Sequence, residues 1–318
     1  MTLPNRSTPS DWPELPYAQW SDALATLHMW TQIVGKVRLV RTPWTNHSWH
    51  VPFYVTARGL ASSPVAQGGL VFDMTFDFQD HRLRIETAHG ARRTVALAPR
   101  PVADFYADVI DSLRSLGIEV RIHTTPSEVA GGIPFEADTQ HASYDPDFAN
   151  RFWRVLVQAD RVFKEFRSRF IGKCSPIHFF WGSFDLAVTR FSGREAPPHP
   201  GGVPNFPDWI AREAYSHEVS SAGFWPGGSG LEEAVFYAYA YPAPEGFSRA
   251  EVRPAAAAWS EALGEFLLPY DAVRTAPSPD EALLEFLQST YAAAADLAAW
   301  DRAALEARLP QDARRTDS

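Results

Sequence analysis

The stretch from Asp145 to Phe170, DPDFANRFWRVLVQADRVFKEFRSRF, constrains this chain more than any other. Phe148, Phe152, Val155, Ala159, Phe163, Phe166 and Phe170 recur every three or four residues, the spacing of one helical face. Asp145 stands at the N-cap and Pro146 at the first helical position, and Gly172 is expected to end the helix. A stripe so rich in phenylalanine needs a broad apolar surface over it. This helix is therefore expected at the centre of the fold.

Other segments read as helices and strands by the same periodicities. The first ten residues are expected to be a disordered lead. A helix is expected from Ser21 to Val34, with Leu24, Leu27, Thr31 and Val34 on one stripe and Gly35 as its C-terminal cap. VFDMTFDF alternates, with Phe72, Met74, Phe76 and Phe78 inward. VPFYVTA, RLRIETA and RTVALA extend a strand meander. Pro101 opens a helix carrying Val102, Phe105, Val109, Leu113 and Leu116, and IEVRI follows as a strand. AYSHEVSSAGF and AVFYAYAY read as later strands, and SPDE is a capping box for a last helix that buries Leu283, Leu287, Tyr291, Ala294 and Leu297.

The expected fold class is α+β. Two divergent halves, residues 12–123 and 146–310, each carry a helix, an antiparallel meander and a helix, joined by a connector at 124–145. The hint of duplication is the echo of IVGK at 33–36 in IGK at 171–173, each followed by a His near a Trp and then a strand. Both Gly-Lys pairs read as helix ends whose cation complements the dipole.

The formal charge of −9 argues against a nucleic-acid or basic membrane-surface role. No apolar run reaches the ~18 residues that a membrane span needs. Cys174 is alone, so no intramolecular disulfide forms. A cytoplasmic protein is expected.

The hairpin CSPIHFFWGSFDLAVTRFSGR, Cys174 to Arg194, carries the candidate site. A two-residue type II′ turn at Gly182-Ser183 puts His178 and Asp185 on one face as diagonal neighbours, and Arg190 on the other. A histidine oriented by a carboxylate suits acid–base chemistry, so His178 and Asp185 are the candidate catalytic pair. Arg190 and Arg194 are candidate anion binders, and Trp181 and Trp225 candidate pocket walls. His178, Asp185 and His217 form an alternative metal set of the non-haem iron type. His28, His47 and His50 offer a second cluster. REAPPHPGGVPNFPDW, which starts at Arg194, is a candidate lid.

The stretches TLHMWTQIVGKVRL, SPIHFFWGSFDLAVTRFSGR, EAYSHEVSSAGFWPG and EFLLPY together resemble a bacterial family, domain of unknown function 5996. The resemblance runs from about Trp12 to Trp300. It implies a bacterial soluble protein. It supplies no reaction, cofactor or catalytic residue.

Two function classes follow. One is an enzyme performing acid–base chemistry on a small anionic or aromatic substrate, with a metal-dependent oxygenase as a variant. The other is a non-catalytic protein that binds a small ligand in the same pocket. No cofactor is specified by the residues.

Overall fold

The computed structural model describes residues 8–228 and 230–307. Residues 1–7 of the expected lead and the 308–310 end of the second half lie outside them.

The first long helix, α1 (Ser21–Arg41), runs straight through Gly35 and Lys36. Gly35 is no cap. Its missing side chain makes room for Trp181, whose Nε1 would stand 2.3 Å from a Cβ built there. A glycine that permits close approach looks in sequence like one that ends a helix. Buried side chains surround α1 on most sides, as expected of a core helix.

Six strands follow: β1 (Tyr54–Val55), β2 (Gly59–Ala61), β3 (Val65–Gln67), β4 (Leu70–Asp77), β5 (Arg82–Thr87) and β6 (Arg92–Ala96). They form an antiparallel sheet in the order β1-β2-β4-β5-β6, with β3 folded onto β4. The alternation of β4 is as expected, with Phe72, Met74 and Phe76 buried, and Phe78 just past its end. Helix α2 (Val102–Ser115) packs on α1 and β6 through Val102, Phe105, Val109 and Leu113. Gly117, at a φ of 77°, ends it. IEVRI is not a strand. It buries Ile118 and Ile122 as extended chain with no ladder partner.

Helix α3 (Pro146–Ser168) begins as its sequence dictates, with the Asp145 carboxylate accepting from the backbone N–H of Asp147 and Phe148. Phe152, Val155, Ala159, Phe163 and Phe166 are buried in one core that spans both sheets. The helix ends before Gly172. Beyond it lie β7 (His178–Phe180), β8 (Asp185–Glu195), α4 (Asp208–Ala214), β9 (His217–Trp225), β10 (Val235–Tyr241), β11 (Ala258–Ser260), β12 (Glu265–Pro269), α5 (Tyr270–Arg274) and α6 (Pro279–Leu297). Ser278 is the N-cap of α6, yet its side chain makes no cap hydrogen bond, and Leu297 is exposed.

The second sheet runs β11-β12-β10-β9-β8-β7. The chain is thus α+β, with two antiparallel sheets among the described residues. Duplication is not confirmed, because β12 inserts between β10 and β11, whereas the first sheet meanders in chain order apart from β3. The sheets meet edge to edge. Phe53 N–H donates to Phe179 O at 2.9 Å, and Phe179 N–H donates to Phe53 O at 2.7 Å. No helix among the described residues is long and apolar enough to cross a membrane.

Candidate functional site

The hairpin keeps the expected register, His178 opposite Ala187 and Phe180 opposite Asp185. Its turn differs. Residues 181–184 form a four-residue loop, and Phe184, not Gly182, takes the positive φ. Phe184 tolerates this because its ring stacks on Phe152 of α3 at 5.4 Å, which anchors the turn to the core. The alternation then sorts the side chains. His178, Phe180, Asp185, Ala187 and Thr189 face a cavity of about 720 Å³. Phe179, Leu186, Val188 and Arg190 face the other way.

Four walls enclose that cavity. The sheet supplies the floor, with Ser221 from β9 and Tyr237 and Tyr239 from β10 beside the hairpin. Helix α1 contributes Lys36 and Leu39, and the segment after it Trp44, His47 and Trp49. The connector contributes Ser127 and Glu128. The Pro/Gly-rich segment and α4 form the roof through Val203, Phe206 and Ile210. That segment is docked, since Glu128 N–H donates to Pro204 O at 2.9 Å and Asn205 Nδ2 donates to Val129 O at 2.8 Å.

His178 and Asp185 thus share one cavity, but no hydrogen bond joins them. Asp185 accepts from Ser183 Oγ and from the Tyr237 hydroxyl. Burial raises its carboxyl above the usual range, and those two hydrogen bonds only partly oppose it. His178 is 1% exposed. No described residue hydrogen-bonds either ring nitrogen, and Nδ1 is fully buried. Burial, with Arg38 second, pushes the imidazole down to about 3, so it is neutral.

Glu128 is the residue that sequence reasoning missed. It sits in the connector with a φ of 63°. Its carboxylate lies over Gly182, where a Cβ would come 2.0 Å from Oε1, so a side chain there would push the carboxylate aside. No described residue hydrogen-bonds that carboxylate. Burial, then the charge of Asp185, pushes it up to about 7. An aperiodic connector gives no sequence signal for such a residue. Tyr237 had one, because AVFYAYAY puts tyrosines at every second position on one face.

Lys36 also lines the cavity. It donates to Thr125 O at 2.7 Å, and burial pushes it down to about 8. This corrects its reading as a cation at a helix end, since α1 continues to Arg41. Lys173 of the second Gly-Lys pair donates to His47 Nε2 at 2.5 Å, while His47 Nδ1–H donates to Ala214 O at 2.9 Å.

The remaining candidates lie elsewhere. Arg190 is buried against α3 and α6, donating to Phe166 O with its guanidinium 3.5 Å from the Phe166 ring centre and 4.2 Å from that of Tyr291. A guanidinium stacks on aromatic faces as well as it pairs with anions. Arg194 is held by Glu218 at 2.7 Å and by the carbonyl of Ala298. Trp225 ends β9 away from the cavity. Trp181 does form a wall, its Nε1 donating to Val51 O at 3.0 Å. His217 lies outside the lining, bonded to Ser216 Oγ. Among the described residues, no three of His, Cys, Asp and Glu come together as a metal site would require. His28 ties α1 to the turn through Gly182 O at 2.9 Å, and His50 bonds the backbone of Thr45.

The sequence profile of a family of unknown function (DUF5996) matches residues 12–307, and the chain belongs to that family. No curated protein and no solved structure matches it.

Proposed function

We propose that this chain is an acid–base enzyme acting on a small molecule held in the cavity, with Glu128 giving and taking the proton. One observation carries the reading: a carboxyl that lines the cavity, is hydrogen-bonded by no described residue, and is pushed up to about 7 by desolvation and by the charge of a second carboxyl beside it. A group whose pKa lies near the working pH is both protonated and deprotonated often enough to exchange a proton in each turnover. Asp185, fixed by Ser183 and Tyr237, would keep Glu128 raised by like charge. His178, neutral and unpartnered, would hydrogen-bond the substrate rather than carry charge. This division of labour replaces the expected His178–Asp185 couple, since Asp185 orients no histidine.

The apolar walls support an aromatic or flat substrate. The anion-binding role expected of Arg190 and Arg194 loses its support, because neither lines the cavity, where Lys36 is a cation that does. The expectation of a cytoplasmic bacterial protein with a small-molecule ligand is kept, and the formal charge of −9 supports only its lack of a nucleic-acid partner.

The test is carbon NMR of carboxyl-labelled glutamate, with Glu128→Gln identifying the resonance. Glu128 should titrate near neutrality. If it titrates at the ordinary value of about 4.3, the acid–base reading fails, and a ligand-binding protein without catalysis is what remains.

A further inference from the structure

The carboxyl end of the cavity lacks a counter-charge. Asp185 is its hub. Glu265 on β12 is close enough to feel its charge, and burial followed by that charge pushes Glu265 too up to about 7. No lysine, arginine or histidine is among the groups that set the protonation of Glu128, Asp185 or Glu265. The described cations nearby make their hydrogen bonds elsewhere, Lys36 of the lining to Thr125 O, Lys173 to His47 and Arg190 across the sheet, and none of them pairs with these carboxyls. Buried carboxyls without a cation are costly when ionised, and a ligand that brings the charge relieves that cost.

A second, independent observation points to a ligand in the same place. His178 lines the cavity, is 1% exposed and has no hydrogen-bond partner for either ring nitrogen among the described residues. A buried polar group left unmatched in the free protein is matched by what binds there. An organic cation is favoured over a metal, because among the described residues no three of His, Cys, Asp and Glu gather as a metal site would require. Trp49, Trp181 and Phe180 offer aromatic surface beside the carboxyls, which favours both a cation and an apolar body.

We propose that the cavity takes a protonated organic amine with an aromatic or apolar body, its ammonium held by Glu128 and Asp185 and its body against Trp49, Trp181 and Phe180. This rests on reading the cavity as the substrate site and names the class of that substrate.

The experiment is isothermal titration of the whole protein with three molecules of one skeleton: phenethylamine, 2-phenylethanol and phenylacetate. Phenethylamine should bind at least about tenfold more tightly than either of the others. Glu128→Gln and Asp185→Asn should each remove most of that preference, with circular dichroism confirming the fold of each variant. Should one variant fail to fold, the wild-type series and the other variant still decide. Equal or weaker binding of the amine, a preference kept in both variants, or no binding of any of the three at ~10 mM overturns the proposal. The two readings fail separately: the NMR titration reads the proton on Glu128 without any ligand, whereas the series reads charge preference without any turnover.

Discussion

Trp181 packs onto α1 at Gly35, where a Cβ would lie 2.3 Å from the indole nitrogen. The ring is buried and its N–H is committed to Val51 O, so it cannot swing aside cheaply. Gly35→Ala gains helix propensity of about 1 kcal/mol. Overpacking of this kind costs about 1–3 kcal/mol, and here it meets a ring with no freedom to move. A net loss of stability is expected in urea denaturation, with a changed tryptophan emission. A variant at least as stable as the wild type would mean that Trp181 is not held against α1.

Glu128 gives the protein a pH signature of definite sign. The folded carboxyl keeps its proton up to about pH 7, whereas an unfolded glutamate loses it near ~4.3. Between those values the native state binds more protons than the unfolded one, so this group lowers stability as pH rises through the window. Glu128→Gln cannot ionise. It should melt above the wild type at pH values past neutrality, and the gain should shrink to nothing in acid. Thermal melts across that range check it, and a loss in alkaline buffer contradicts it.

His178 has the opposite slope. Its folded pKa is about 3 and an unfolded histidine titrates near ~6.5. The unfolded state takes up the extra proton, so the stability this group supports is present above the unfolded value and lost as pH falls toward the folded one. His178→Leu removes both the titration and the unmatched nitrogen. It should be no less stable than the wild type at neutrality and clearly more stable in mild acid, as urea midpoints would show. A large loss at neutrality would reveal a partner for His178 inside the protein.

Phe163 is fully buried on α3, with its ring 6.3 Å from that of Phe236. Phe163→Ala should cost about 3–5 kcal/mol. A loss under ~1 kcal/mol in denaturant melts is what a surface position gives, and would move α3 out of the core.

What the sequence disclosed is what local periodicity encodes. The phenylalanine stripe of α3, the alternation of β4 and the hairpin register all depend on neighbours a few residues away, and all appear in the structure as read. Contacts across long separations were not legible. Gly35 serves Trp181, 146 positions later in the chain, and nothing near it says so. Arg190 shows its character on a strand face but not its partners, which turned out to be rings on α3 and α6. The polar half of the site depends on Glu128, placed by the fit of a connector against the hairpin turn. Its one local trace is the glycine at 182 that it lies over, and turns commonly carry glycine for other reasons.

The bridge between Phe53 and Phe179 bears on how the polypeptide must be made. An open strand edge is an invitation to self-association. Here the first sheet would end at β1 and the second at β7, and each covers the edge of the other. Produced alone, residues 12–145 or 146–307 would each present a bare edge flanked by phenylalanine, and insoluble product is expected. Produced together as two chains, they should recombine along that seam and stay in solution, so the pairing that makes one cavity also keeps either piece from finding copies of itself.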